Sequence, residues 1–161
     1  MTMATVEMSF TPLPAHVRTA RLVATAVARR SGVDEALLDE VRLAVGEACS
    51  RAVEAHQEHC PAEPVRVALT GTEGRFEVVV TDTAAQGSGA ANAADADGGA
   101  NCGREAPGGE RQAAAGKPRR QAVPAELGLA VIEGLADDVE IARTKAGLSI
   151  RMSWPSAAVA G

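Results

Sequence analysis

One stretch constrains this chain more than any other. From Asp34 to His56 it reads DEALLDEVRLAVGEACSRAVEAH, with no proline to interrupt it. Leu37, Val41, Val45, Ala48 and Ala52 recur at helical spacing, and Leu38 and Val53 widen the stripe. The segment is therefore a long helix with one side made for a core. Glu40, Glu47, Arg51 and Glu54 fall on the opposite side. Asp34 can accept hydrogen bonds from the first free backbone N–H groups, Glu35 suits the positive end of the helix dipole, and Pro61 forbids continuation soon after His59. The rest of the chain has to supply what packs on the apolar side, and the polar side needs a purpose.

At 161 residues the chain is long enough for one domain with a sizeable core. Sixteen Lys and Arg stand against twenty-one Asp and Glu, a formal net charge of -5. There is no basic stripe, and only 2% of residues are aromatic. A partner made of nucleic acid is not expected, since it would need both cations and stacking platforms. No apolar run approaches the roughly twenty residues of a membrane span, and MTMATVEMSF lacks the basic-then-apolar layout of a signal peptide. The expected location is cytoplasmic, with no membrane partner. Cys49, Cys60 and Cys102 are odd in number and unpaired in spacing, which fits reduced thiols better than a disulfide framework. The scarcity of aromatics means that the core is aliphatic.

Taken in order, Val6, Met8 and Phe10 alternate with Glu7 and Ser9 as a half-buried strand, ended by Pro12 and Pro14. Ala15 to Arg30 is helical, with Val17, Ala20, Ala24 and Val27 on one side and Arg18, Arg21, Arg29 and Arg30 left to solvent; Ser31-Gly32 breaks it. These arginines are assigned no site. After the long helix, Val65, Val67 and Leu69 alternate, Gly71-Thr72-Glu73-Gly74 turns, and Phe76, Val78 and Val80 alternate again, a hairpin running into Thr81 and Asp82.

Composition then changes. Residues 84 to 126 are dominated by Ala, Gly, Asn, Gln and mixed charge, with no large apolar residue until Val123. Such a segment cannot offset its ordering entropy by burial and is expected to be a mobile loop. The run ELGLAVIEGLADD resumes a helix through Leu127, Val131, Ile132 and Leu135, and Val139, Ile141, Leu148, Ile150, Met152 and Trp154 alternate as a final hairpin up to Pro155. Residues 156–161, all small or apolar, are expected to be a flexible tail. The expected architecture is α+β: a two-layer sandwich of about five strands, mixed but mostly antiparallel, with three helices on one face, in a single domain spanning residues 1–161.

The order of elements, the helix motif GEACSRAVEA, the strand ending VVVTD, the variable loop and the restart ELGLAVIEGLADDVEI together resemble the anti-sigma-factor serine kinases. These belong to the ATPase class shared by histidine kinases, gyrase, Hsp90 and MutL. The resemblance covers nearly the whole chain outside residues 84 to 126. It implies an ATP-binding regulator of transcription whose partners are a sigma factor and an anti-anti-sigma antagonist of the STAS type. It also implies that residues 84–126 act as a lid over the nucleotide. Some relatives dimerise, so a homodimer is within what it implies.

The resemblance also assigns residues. The family motif Glu-Ala-x-x-Asn-Ala-Val places a general base at Glu47 and a Mg²⁺ ligand where this chain has Arg51. A guanidinium has only donors and a fixed positive charge, so Arg51 cannot join the oxygen shell that Mg²⁺ demands. It can contact phosphate oxygens in a bidentate fork, or pair with Glu47 one turn away. The family box Asp-x-Gly-x-Gly places the adenine-reading carboxylate at Asp82, with Ala84 and Gln86 in place of the glycines. The Gly-x-Gly-Leu phosphate turn corresponds to Glu126-Leu127-Gly128-Leu129, so Gly128 and Leu129 match and Glu126 brings a negative charge. In the last hairpin a hydroxyl that assists the aspartate is implied, and Ser149 is the one available after Gly147. Two readings stay open: an active serine kinase, and a pseudokinase that acts only as a protein-interaction switch. His56, His59 and Cys60 cluster at the helix end but lack a standard zinc-ligand spacing.

Overall fold

The computed structural model describes residues 4–83, 125–144 and 147–157. The expected loop over residues 84–126 lies almost wholly outside them, although its last two residues already belong to a helix. In chain order the elements are β1 (Ala4–Phe10), α1 (Pro14–Arg30), a 3-10 turn (Glu35–Leu37), α2 (Leu38–His59), β2 (Val65–Thr72), β3 (Arg75–Asp82), α3 (Ala125–Leu135), β4 (Asp138–Thr144) and β5 (Gly147–Pro155). The strands form one sheet in the order β1-β2-β3-β5-β4. All four pairings are antiparallel, so the expected mixed character is absent among the described strands. The fold is the anticipated α+β sandwich.

Helix boundaries follow local chemistry. Pro14 opens α1, where its missing N–H costs nothing. Arg29 and Arg30 occupy the last turn, at the negative end of the dipole. The side chain of Asp34 accepts from Ala36 N at 2.8 Å, so the expected cap is real, but it caps a 3-10 turn rather than the α-helix itself. The long helix therefore starts four residues later than its apolar pattern suggests and runs three residues further, to His59.

Alternation along the strands assigns the two faces of the sheet. Val65, Val67 and Leu69 of β2, Phe76, Val78 and Val80 of β3, and Leu148, Ile150, Met152 and Trp154 of β5 are buried beneath the helices. The antiparallel register places Val80 against both Val67 and Ile150, and Val78 against Leu69 and Met152. Phe76 and Trp154 stack in a tilted pair with ring centroids 6.3 Å apart. The indole N–H of Trp154 donates to Leu135 O at 3.0 Å, tying the end of α3 to β5. The other face carries exposed charge, with Arg151 bridging Glu77 and Glu140.

Small residues let α1 and α2 approach closely. Ala20, Ala24 and Ala28 on α1 and Ala44, Ala48 and Ala52 on α2 are buried, so the aliphatic core is partly an alanine seam. The segment expected as a free tail is anchored at its start: Ser156 bridges to Val33, and Ala157 N donates to Gly32 O at 2.7 Å. Cys49 is free and buried. Cys60 is disulfide-bonded, contrary to the expectation of reduced thiols, with its partner outside the described residues. Spacing in sequence speaks to frequent disulfide frameworks, not to which thiols meet in space.

Two outcomes follow from this packing. Ile132 is fully buried on α3, so Ile132→Ala should cost about 2–5 kcal/mol in a denaturant titration; a cost below about 1 kcal/mol would mean that α3 is not firmly docked. Burial pushes the Cys49 thiol from its ordinary 9.0 up to about 12, with Arg21 opposing. The native state thus keeps a proton that the unfolded chain loses as pH rises from about 9, and stability falls across that window. At pH 8, alkylation and peptide mass mapping should find Cys49 unmodified unless denaturant is added. Native-state labelling would show that α2 lifts from the sheet.

Candidate functional site

Two groups of side chains hang on α2. The first lies where α3 crosses it. Gly128 is the fourth residue of α3, at the end of its first turn. A Cβ added there would come 2.8 Å from Glu47 Oε1 and 3.2 Å from Arg51 Cδ. Glycine at this position lets the start of α3 lie directly on the side chains of Glu47 and Arg51, which would have to shift to admit a Cβ.

Spacing left open whether Arg51 pairs with Glu47. It does not: among the described residues the two make no ion pair, and Arg51 Nη1 is buried without a hydrogen-bond acceptor. Such a donor costs roughly 1–3 kcal/mol or more while it stays unmet. A cationic N–H without an acceptor near the start of a helix can offer an oxyanion both charge and a hydrogen bond, against the repulsion of the Glu47 carboxylate.

The second group lies at the end of β3. Asp82 is the last residue of the strand, with its side chain only 13% exposed. Its Oδ1 lies 3.3 Å from Nε2 of His56, which is fully buried. The same Nε2 accepts from Thr83 N at 3.1 Å, and Nδ1 meets Glu63 O at 2.9 Å. Gly147, at φ +129, opens β5 directly against this strand end. A Cβ on it would collide with the Asp82 carbonyl oxygen and lie 2.8 Å from Thr83 Cα. Only glycine satisfies both the backbone conformation and the contact. Thr83 Oγ1 is buried here without a partner.

The two groups are spaced along one axis. Arg51 and His56 are five residues apart on α2, so about 7–8 Å separates their levels at 1.5 Å per residue. Of the residues expected from sequence, Glu47, Arg51 and Gly128 meet, and Asp82 sits further along the same helix. Leu129 packs against the core instead. Ser149 pairs with Thr81, while Asp82 pairs with Leu148. Side chains of facing partners share a face, so Ser149 lies on the opposite face of the sheet from Asp82. Ala84 and Gln86 lie outside the described residues, as does the Glu126 side chain.

The family can be stated from here. The family described as the histidine kinase-like ATPase domain matches residues 10–154, nearly the whole chain. The chain belongs to that family. The ATPase domain is also similar in fold to a solved structure described as the RsbU and RsbW domains of Rv1364c from Mycobacterium tuberculosis, with a TM-score of 0.57 and 16% identity. That likeness covers 97% of this chain and 34% of the other, so the chain spans about a third of the length of its structural relative. No curated protein matches the sequence.

Family membership implies a nucleotide, and the resemblance implies Mg²⁺, so both need testing against the residues present. The unmet Nη1 of Arg51 fits a phosphate oxygen. Mg²⁺ does not fit: the position expected to supply an oxygen ligand is a guanidinium, which repels a cation. Among the described residues no three His, Cys, Asp or Glu side chains converge to hold a metal ion, His56, His59 and Cys60 included. No helix among the described residues is long and apolar enough to cross a membrane. Two cavities lie elsewhere and contain none of these groups. One, of about 370 Å³, is lined by Arg18, Arg21, Leu22, Arg42 and Leu43; the other, of about 420 Å³, lies along β1 to β3.

His56 is the site residue that sequence spacing passes over. A signal for it existed, because it falls on the same stripe as Val45, Cys49 and Ala52, where a polar ring needs partners. The unmet donor of Arg51 gives a separate expectation. Arg51→Met, which keeps the stem and removes the guanidinium, should leave stability unchanged or raise it by up to about 1 kcal/mol in chemical denaturation. A loss above about 2 kcal/mol would reveal an acceptor for Arg51 within the protein.

Proposed function

We propose that this ATPase domain is an anti-sigma regulatory factor of the serine-kinase type. In this reading it binds a sigma factor and a STAS-type anti-anti-sigma antagonist, and a nucleotide binds along α2, from Asp82 to the place where α3 meets Glu47 and Arg51. The observation that carries the reading is the unmet Arg51 Nη1 beside Glu47 at the glycine of α3. Family membership and the likeness to the fold of a chain with an RsbW domain support it. Asp82 holds the adenine by accepting from its amino group. Arg51 and the first turn of α3 hold the phosphates. ATP, when bound, supplies the phosphoryl group.

Glu47 then has a defined task. Its carboxylate would take the proton from a serine hydroxyl of the antagonist as that oxygen attacks the γ-phosphorus of ATP and the bond to the bridging oxygen breaks, leaving ADP. Arg51 neutralises charge on the phosphoryl oxygens, the work that a cation performs when a ligand for one is present. One observation favours the alternative of a pseudokinase switch. Arg51 replaces the residue expected to hold Mg²⁺, and a single fixed guanidinium supplies less charge than a divalent ion.

Calorimetric titration with ATP and ADP, with and without Mg²⁺, tests the reading. Binding of similar strength in both conditions is expected, since Arg51 binds phosphate directly. Glu47→Ala should lower phosphate transfer to the antagonist by at least about 100-fold and leave the complex with the antagonist intact. Transfer that survives the substitution removes Glu47 as base. No transfer by the unaltered protein, with nucleotide and antagonist both bound, selects the switch. No nucleotide binding at all overturns the assignment of the site.

A further inference from the structure

His56 has no part in the scheme above, yet it is fully buried and all its ring nitrogens are engaged. Its protonation follows from its partners. A carbonyl oxygen only accepts, so the contact with Glu63 O at 2.9 Å places the hydrogen on Nδ1. A backbone N–H only donates, so the contact with Thr83 N at 3.1 Å places a lone pair on Nε2. The ring is therefore a neutral imidazole, linking the segment after α2 to the residue after Asp82. With no hydrogen on Nε2, the ring sits 3.3 Å from Asp82 Oδ1 without donating to it.

That arrangement serves an adenine-reading carboxylate. Asp82 has to remain an acceptor for an amino group and has to be held in one place. A charged imidazole would donate to Oδ1 and compete with the ligand, and it would release Thr83 N. A neutral ring fixes the backbone at Thr83 and blocks Oδ1 on one side without using its acceptor capacity. Gly147 presses on the same two residues from β5, so the strand end is held from both sides.

We propose that His56 is a positioning residue for base recognition: through Thr83 and Asp82 it sets the preference of the site for adenine over a base with a carbonyl in place of the amino group. This rests on the proposal that a nucleotide binds at Asp82. The two ring nitrogens can be tested separately, because the amide of asparagine reaches the position of Nδ1 and that of glutamine the position of Nε2. His56→Asn keeps a donor for Glu63 O and loses the contact with Thr83. His56→Gln does the reverse.

The measurement is the ratio of dissociation constants for ITP and ATP by calorimetry. The unaltered protein should prefer ATP by at least about tenfold, as expected when a buried carboxylate loses its donor. His56→Asn should bring the ratio to within about twofold of one, and His56→Gln should retain most of it. A merely structural role would weaken both nucleotides equally and leave the ratio alone, which overturns the inference while the nucleotide reading stands. An unaltered protein that binds both equally also overturns it. One that binds neither overturns the nucleotide reading and this role together. Should the variants fail to fold, ring ¹⁵N shifts of His56 in the unaltered protein decide the matter: a pyridine-type Nε2 whose shift moves on adding ATP is expected, and a protonated Nε2, or no movement, overturns the proposal.

Discussion

Val41, Val45, Ala48, Cys49, Ala52 and Val53 are sealed between α2 and the elements beneath and beside it, and the position of every functional group follows from that seal. Once one side of α2 is fixed to the sheet by burial, rotation about its axis is fixed too. Glu47 and Arg51 are then carried to the flank that α3 crosses, and His56 is carried down to the end of β3. Hydrophobic burial has no direction of its own, but on a helix it sets the direction of every polar residue.

The two groups on α2 differ in how they are held. Next to Asp82 the backbone is held at Thr83 by a hydrogen bond to His56 and at both residues by contact with Gly147. At Arg51 a charged donor is left unmet, and the energy of satisfying it is available to a ligand. One end is suited to selecting a partner by hydrogen-bond pattern, the other to gaining affinity for an anion. An unmet charge at one end and a held strand end at the other are what the proposed nucleotide site would need.

Much of the architecture was legible because burial leaves periodic marks. The stripe of α2, the alternation of Phe76, Val78 and Val80, and the helix through Leu127, Val131 and Ile132 each announce their elements. What misled was local: a cap at Asp34 opens a 3-10 turn, and Ser156 and Ala157 are anchored rather than free. Neither has a periodic signature, since each depends on one or two hydrogen bonds.

Within the site, the sequence by itself determined that Glu47 and Arg51 are neighbours, because four residues make one helical turn, and that an arginine cannot serve where a metal ligand is needed. Only the tertiary structure decided that these neighbours do not pair and that α3 meets both at Gly128. It also decided that Leu148, not Ser149, shares a face with Asp82. Register across strands is set by the packing of the whole sheet, and a slip of one residue exchanges the faces. For the same reason His56, a ring in an apolar stripe, acquired its meaning only when the end of β3 was brought beneath it.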